Sequence, residues 1–293
     1  MFRVGILGSD NSHAQHFARL CNVEKVYGDD VRIECIYGRD DDPNHTKEVA
    51  EIGKIPFIAS KPEEFFGKVD AVMVVYRRGA LHVPEILPFI EAGLPVWIDK
   101  PVCESIEDIK TLREAVEKNN TLITGGSTLK YNYEILTLKD KVESGRIGAV
   151  SGGCINFPGD LESEYGGIFF YGSHLIEMML SVFGYDVKSV TAKTIAPKNS
   201  VVIVKYEDKM VSLAFNNLCS SYFVTVYGDK NVVNVDVDIS FIYKLGFAKF
   251  VEMLKTNKMP LSFDDLVKPV YVLNAIQKSL DEDREVNISE IME

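Results

Sequence analysis

Lys100 and His174 are the side chains whose type and surroundings best suit proton chemistry. Lys100 stands in Trp97-Ile98-Asp99-Lys100-Pro101, directly after a short apolar run, and the proline that follows restricts it to an extended backbone. A lysine at the end of a buried strand can polarise a substrate oxygen with its charge, or exchange a proton once burial disfavours that charge. His174 lies in Tyr165–Glu177, a glycine-bracketed aromatic segment. At helical spacing Phe170, His174 and Glu177 share one face, and Tyr171 sits one turn before the histidine. An isolated histidine or an apolar-flanked lysine can equally be structural.

A second group of residues could hold an anion. Gly8-Ser9-Asp10-Asn11-Ser12-His13 joins an apolar run to a helical pattern, the place where a GxGxxG loop receives a pyrophosphate. Only the first glycine is present; Asp10 and His13 occupy the other two positions, and the segment reads equally as a capped helix start. Arg39, after the second apolar run, could accept a 2′-phosphate and favour NADP, or be an exposed turn arginine. Arg77 and Arg78 open the segment Tyr76–His82, where two guanidinium groups could bind cofactor phosphate or a substrate carboxylate. Asp99 and His82 complete the expected cofactor-side set. His13-x-x-His16 could share a helix face, but no third ligand accompanies the pair and no metal site is expected.

These residues need elements to position them. Continuously apolar runs at Phe2–Leu7, Val31–Tyr37, Ile55–Ile58, Ala71–Val75, Val96–Ile98 and Leu122–Gly125 alternate with helical patterns at Ser12–Cys21, Thr46–Ile52, Lys61–Phe66, His82–Ala92 and Ile106–Lys118. Strands apolar throughout are buried on both faces, as in a parallel sheet covered by helices. Residues 1–124 are therefore expected to form a doubly wound, Rossmann-type dinucleotide-binding domain with its cleft at the strands' C-terminal edge. After Gly125-Gly126 and a helix at Tyr133–Ser144 the rhythm changes. Strands at 149–157, 187–194, 200–206, 210–216, 222–227 and 232–237 follow one another, with a hairpin turning at Glu207-Asp208. Residues 125–293 are expected to form a C-terminal α+β domain with a largely antiparallel open sheet. Helices at 167–183, 239–256 and 264–281 should cover one face, leaving the other for a second copy of the chain, in a homodimer or homotetramer.

Bulk properties exclude several classes. The 293 residues are 46% hydrophobic and 26% charged, which is ordinary globular composition, and the formal net charge of -11 opposes nucleic acid or an anionic membrane as partner. Cys21, Cys35, Cys103, Cys154 and Cys219 are odd in number and never spaced as CxxC, which fits reduced thiols and a cytoplasmic protein. MFRVGILGSD enters a strand without a long apolar h-region, so no signal peptide is expected, and no run has the length of a membrane span.

The chain resembles the Gfo/Idh/MocA oxidoreductases, which include glucose-fructose oxidoreductase and inositol dehydrogenase, over nearly its whole length. Asp99-Lys100-Pro101 is similar to that family's Glu-Lys-Pro, and Ala80-Leu81-His82 to its helix entry after the fourth strand. Glu143-Ser144-Gly145-Arg146-Ile147-Gly148 is similar to its bridge into the second domain. Gly172-Ser173-His174 with Glu177 is similar to its Gly-x-His-x-x-Asp, and Lys268-Pro269-Val270 through Ser279 to its closing helix. The resemblance implies an NAD- or NADP-dependent dehydrogenase acting on a sugar, polyol or related alcohol or ketone, with substrate lying between cofactor and the second domain's sheet. Lys100 would polarise the reacting oxygen, and His174 would serve as acid/base. Departures cluster at functional positions. Phe170 stands where the family has an aspartate, for which Tyr171 could substitute. Asp10 and His13 replace fingerprint glycines, Gly38 replaces the acid after strand two, and Arg77-Arg78 replace a Thr-Pro. These losses favour a competing function, a family member without dehydrogenase activity that binds a ligand or regulates. Non-redox chemistry with a bound cofactor is a third reading.

Overall fold

The computed structural model describes residues 1–39, 43–196 and 198–293. The chain divides into two compact units, residues 1–103, 107–126 and 243–266 in one, and residues 104–106, 127–242 and 267–293 in the other. The first contains strands β1 (Phe2–Leu7), β2 (Val31–Tyr37), β3 (Phe57–Ile58), β4 (Ala71–Val74), β5 (Val96–Ile98) and β6 (Ile123–Gly125). Helices α1 (Ser12–Ala18), α2 (Pro43–Ile52), α3 (His82–Glu91) and α4 (Ile106–Asn119) lie between them, and α1 runs on into a π-helical stretch at Arg19–Val23. The order is β3-β2-β1-β4-β5-β6 with every pair parallel. Chain direction across the sheet reverses between β1 and β4, so the loops after these strands flank the switch point at which α/β sheets bind ligands. Val4, Ile6, Ile33, Ile36, Ala71, Met73, Val96 and Ile98 are almost wholly buried, as continuously apolar strands predict. The charged turn expected at Gly38–Asp42 lies partly outside the described residues.

The second unit begins with α5 (Tyr133–Glu143), β7 (Val150–Phe157) and α6 (Ile168–Phe183), followed by β8 (Ser189–Ala196), β9 (Asn199–Lys205), β10 (Met210–Asn216), β11 (Phe223–Gly228) and β12 (Val232–Asp236). After them in the chain come α7 (Ile242–Thr256), which returns to the first unit, then α8 (Phe263–Glu282), β13 (Val286–Asn287) and α9 (Ser289–Met292). The seven-stranded order is β12-β11-β7-β10-β9-β8-β13. The β7–β10 pair is parallel and the other pairs are antiparallel. The hairpin turns at Glu207-Asp208, where Tyr206 N–H donates to Lys209 O at 2.9 Å. Val202, Val204, Val211, Leu213 and Phe215 alternate inward, while Val201, Ile203 and Met210 alternate outward and are exposed.

One expectation is corrected. The helix expected at 239–256 does not cover the second sheet: α7 belongs to the first unit. Its Phe247 packs 5.3 Å from Phe17 and 6.3 Å from Trp97, ring centre to ring centre, and Phe250 lies 6.1 Å from Trp97. Tyr27 Oη donates to Lys244 O at 2.7 Å. Burying two phenylalanines beside a tryptophan contributes about 1.5–3 kcal/mol for each ring. Periodicity reveals that α7 has an apolar face, not which core receives it. Short β13, pairing Val286 with Val190, is a further element not expected from sequence.

Candidate active site

In the first unit, a cluster of ionisable side chains sits after β1, β4 and β5. Asp99 and Lys100 are 1% and 2% exposed. Asp99 Oδ2 and His13 Nδ1 are 2.6 Å apart. Burial alone would raise the Asp99 carboxyl, but His13, Lys100 and His82 outweigh it and hold the pKa below the ordinary carboxylate value. Asp99 is therefore an ionised acceptor, and His13 places an N–H on Nδ1 against it. The fingerprint position that carries His13 in place of glycine is thus used to pair the residue next to Lys100.

His82 is fully buried, with Nδ1 2.7 Å from Pro101 O and Nε2 2.9 Å from Tyr76 O. Burial pushes its pKa down, against the pull of Asp99 and the two carbonyls. It ties the loop after β4 to the Lys100-Pro101 loop, so its part in any cofactor site is to shape these loops.

The strand–helix loop is also built from within. Asn11 caps α1, its Oδ1 accepting from His13 N–H at 3.2 Å. Asp10 accepts from Arg77 N–H at 3.2 Å, and desolvation pushes its carboxyl up against the pull of Arg77. Gly8 has φ +105°, and a Cβ there would lie 2.9 Å from Tyr76 N. Ser9 and Thr46 hydroxyls meet at 2.8 Å, and a Cβ on Gly38 would fall 1.9 Å from Thr46 Oγ1 and 2.3 Å from Ser9 Oγ. The space an acid would need after β2 is filled. Arg39 Nη1 is 2.6 Å from Glu85 Oε1. Ser12 and Arg78 are exposed and Arg77 is half-buried.

This donor set fits a dinucleotide phosphate. Asn11 Nδ2 is buried with no hydrogen-bond partner among the described residues, two arginines follow β4, and Arg77 N–H already binds the one acid of the loop. No group of three His, Cys, Asp or Glu side chains among the described residues could hold a metal ion.

In the second unit, α6 presents His174 and Glu177 to the segment after β6. Ser127 Oγ and His174 Nδ1 are 2.6 Å apart. Glu177 accepts from Ser127 N–H at 2.6 Å and from Lys130 Nζ at 2.5 Å. Ser127, Lys130, His174 and Glu177 are all between 1% and 6% exposed. A Ser–His pair suggests nucleophilic chemistry, but the Ser127 hydroxyl also accepts from Leu129 N–H at 3.2 Å, as a cap of the turn that follows. Tyr171, 40% exposed, has its ring 6.1 Å from that of His174. Ser127, not Tyr171, occupies Nδ1. Phe170 packs in an aromatic group with Tyr165 and Tyr171. Ser127 and Lys130 were not singled out from sequence; their only signal is a polar pair just after the glycines that close β6.

Residues 2–127 match the model of an oxidoreductase family with an NAD-binding Rossmann fold, Gfo/Idh/MocA. The match covers the first sheet and leaves the rest of the chain outside it. The chain is 23% identical over 146 residues to the scyllo-inositol 2-dehydrogenase (NADP(+)) IolW of Bacillus subtilis, an alignment covering 46% of this chain and 40% of that protein. The chain thus matches less than half the length of such relatives. Among solved structures, a probable dehydrogenase from Thermotoga maritima superposes with TM-score 0.84 at 19% identity, covering 99% of both chains. The scyllo-inositol dehydrogenase of Lactobacillus casei, with bound NAD(H) and scyllo-inositol, superposes with TM-score 0.82 at 15% identity, again over 99% of both. At these identities the superpositions establish the two-sheet fold.

Proposed function

We propose that the protein is an NAD(P)-dependent dehydrogenase that interconverts a polyol or sugar alcohol and its ketone. The observation that carries this reading is Lys100, buried at the end of β5 and flanked by an ionised Asp99 that His13 holds in place, in a segment that matches an NAD-binding family. Asn11, Arg77 and Arg78, with the backbone of Gly8, Ser9 and Ser12, would hold the cofactor phosphates. A bound nicotinamide supplies the hydride acceptor or donor. Lys100 would bind the reacting oxygen, and within the second unit His174 is the candidate acid/base. The names of the matched relatives make inositols the first substrates to try. NAD and NADP both remain candidates. Arg39 is engaged by Glu85, so a 2′-phosphate has to displace that carboxylate.

Five free thiols fit a reducing compartment, the cytoplasm. The outward face of the second sheet exposes Val201, Ile203, Met210, Tyr227 and Val232, which fits coverage by a second copy in a homodimer or homotetramer. The net charge of -11 disfavours nucleic acid as a partner.

The test is titration with NAD+, NADH, NADP+ and NADPH, followed through the fluorescence of Trp97, the sole tryptophan, and then turnover of myo- and scyllo-inositol. Saturable binding of one cofactor pair and formation of reduced cofactor with a polyol are expected. No binding up to millimolar concentration overturns the reading in favour of a ligand-binding or regulatory protein.

A further inference from the structure

A Rossmann-type sheet reads the adenosine ribose of its cofactor at the end of the second strand. An acid there accepts from the ribose hydroxyls, or an arginine binds a 2′-phosphate. Here Gly38 stands at that position, with Thr46 Oγ1 and Ser9 Oγ already filling the space a side chain would take. Arg39 is the next residue, and taken alone it would be a 2′-phosphate receptor. Its guanidinium is engaged, because Nη1 donates to Glu85 Oε1 at 2.6 Å.

Glu85 lies in the first turn of α3, the helix that follows β4. Since β2 and β4 are the two neighbours of β1, the Arg39–Glu85 pair links the segments on either side of the strand that leads into Gly8 and the Asp10–His13 loop. The Glu85 side chain is 19% exposed, so its carboxylate is largely enclosed yet open on one side. Oε2 of Glu85 makes no hydrogen bond with a described residue. Tyr76 Oη, in the same neighbourhood, is buried with no hydrogen-bond partner among the described residues. Burial, then Glu85 and Tyr37, push the phenol's pKa up against the pull of Arg39, so Tyr76 keeps its proton. An open carboxylate oxygen and a buried phenol are an acceptor and a donor for a vicinal diol. A phosphate dianion at the same place would meet an arginine already neutralised and a carboxylate of its own sign.

We propose that Glu85, from α3, supplies the ribose-binding acid that the end of β2 lacks, and that the Arg39–Glu85 pair makes the protein selective for NAD(H) over NADP(H). This rests on the dehydrogenase reading and narrows it to one cofactor. Glu85 Oε2 accepts from the adenosine ribose diol, Arg39 fixes the carboxylate through Oε1, and Tyr76 Oη is the second group for the diol. The sequence position of Arg39 points to NADP; its partner, 46 residues away, reverses that preference.

Isothermal titration calorimetry with NAD+ and NADP+, and with NADH and NADPH as the reduced pair, tests the proposal. Wild type should bind NAD+ about tenfold or more tightly than NADP+, the effect of one hydrogen bond to a charged acceptor. Glu85→Ala removes the acceptor and releases Arg39, so NAD+ should weaken about tenfold and NADP+ tighten about tenfold. Adding Arg39→Met to Glu85→Ala should abolish the gain for NADP+, because that gain comes from the released guanidinium. Glu85→Gln keeps the side-chain volume and should move the ratio in the same direction by a smaller factor, so the test stands even where Glu85→Ala fails to fold. A wild-type ratio that does not favour NAD+, or an unchanged ratio in the Glu85 variants, overturns the proposal and leaves the dehydrogenase reading standing. Absence of binding of all four dinucleotides to wild type overturns both.

Discussion

Each unit buries a histidine whose Nδ1 makes a hydrogen bond of 2.6 Å, to a carboxylate in one and to a hydroxyl in the other. At His13 the partner is the ionised Asp99 carboxylate, so the ring donates. At His174 the partner is the Ser127 hydroxyl, which also accepts from Leu129 N–H. Glu177, in the same cluster, pairs with Lys130 and accepts from the Ser127 N–H. The difference teaches that a histidine's chemistry is set by the group its second nitrogen meets, which residue identity and spacing leave open.

The largest effect should come from breaking the Lys130–Glu177 pair, since both side chains are 3% exposed. Glu177→Gln leaves an ammonium without its counter-charge and should cost about 3–5 kcal/mol in urea unfolding, whereas Lys130→Met with Glu177→Leu should recover much of that. A loss below about 1 kcal/mol for the single variant would mean that solvent reaches Lys130, and that the two clusters are not comparably buried.

Next is the carboxylate-bound histidine. His13→Ala leaves buried Asp99 short of its hydrogen bond, with Lys100 and His82 still nearby, and should cost about 2–3 kcal/mol. With Asp99→Asn as the partner variant, a double-mutant cycle should return a coupling of about 1 kcal/mol or more. Additive losses would show that His13 merely fills space.

The two clusters also differ in how much of them the sequence revealed. The first was largely legible, because a parallel sheet makes every strand continuously apolar and sends the polar residues to one edge. Phe2–Leu7, Val31–Tyr37 and Val96–Ile98 fall where their apolar runs do, and Lys100, Asp99, Arg77 and Asn11 all follow strand ends. Even so, Asp10 and His13 looked like damage to a phosphate loop, and their partners, Arg77 N–H and Asp99, are 67 and 86 residues away. In the second cluster His174 and Glu177 stood out by helical spacing, but Ser127 and Lys130 did not: a serine after a strand resembles any cap until a helix 47 residues later is laid against it. The placement of α7 failed for the same reason, since an amphipathic pattern specifies a face without its partner.

Acid should weaken the first cluster. Folding depresses the pKa of His82, through burial, and that of Asp99, through His13, Lys100 and His82 in excess of burial. In both cases the folded state binds fewer protons than the unfolded chain, so stability rises with pH. The His82 contribution is complete above its ordinary value of 6.5 and is lost as pH falls through its lowered folded value. The Asp99 contribution is complete above 3.8 and is lost in the same sense below it. His16, also lowered by burial, adds with the same sign. Urea midpoints should therefore decline from pH 7.5 to 5, and His82→Asn should flatten that decline. A wild-type midpoint that stays constant over this range would contradict a neutral, buried His82.

The smallest expected effect separates the two histidine bonds most cleanly. Ser127→Ala removes a neutral hydrogen bond to His174 while keeping the backbone N–H on Glu177, and it should cost about 1 kcal/mol, against about 2–3 kcal/mol for His13→Ala, where an ionised partner is stranded. The ranking follows from charge, because both bonds have the same length and comparable burial. Urea unfolding of the two variants at pH 7.5 tests it. If Ser127→Ala proves as costly as His13→Ala, the charge of the partner does not set the ranking.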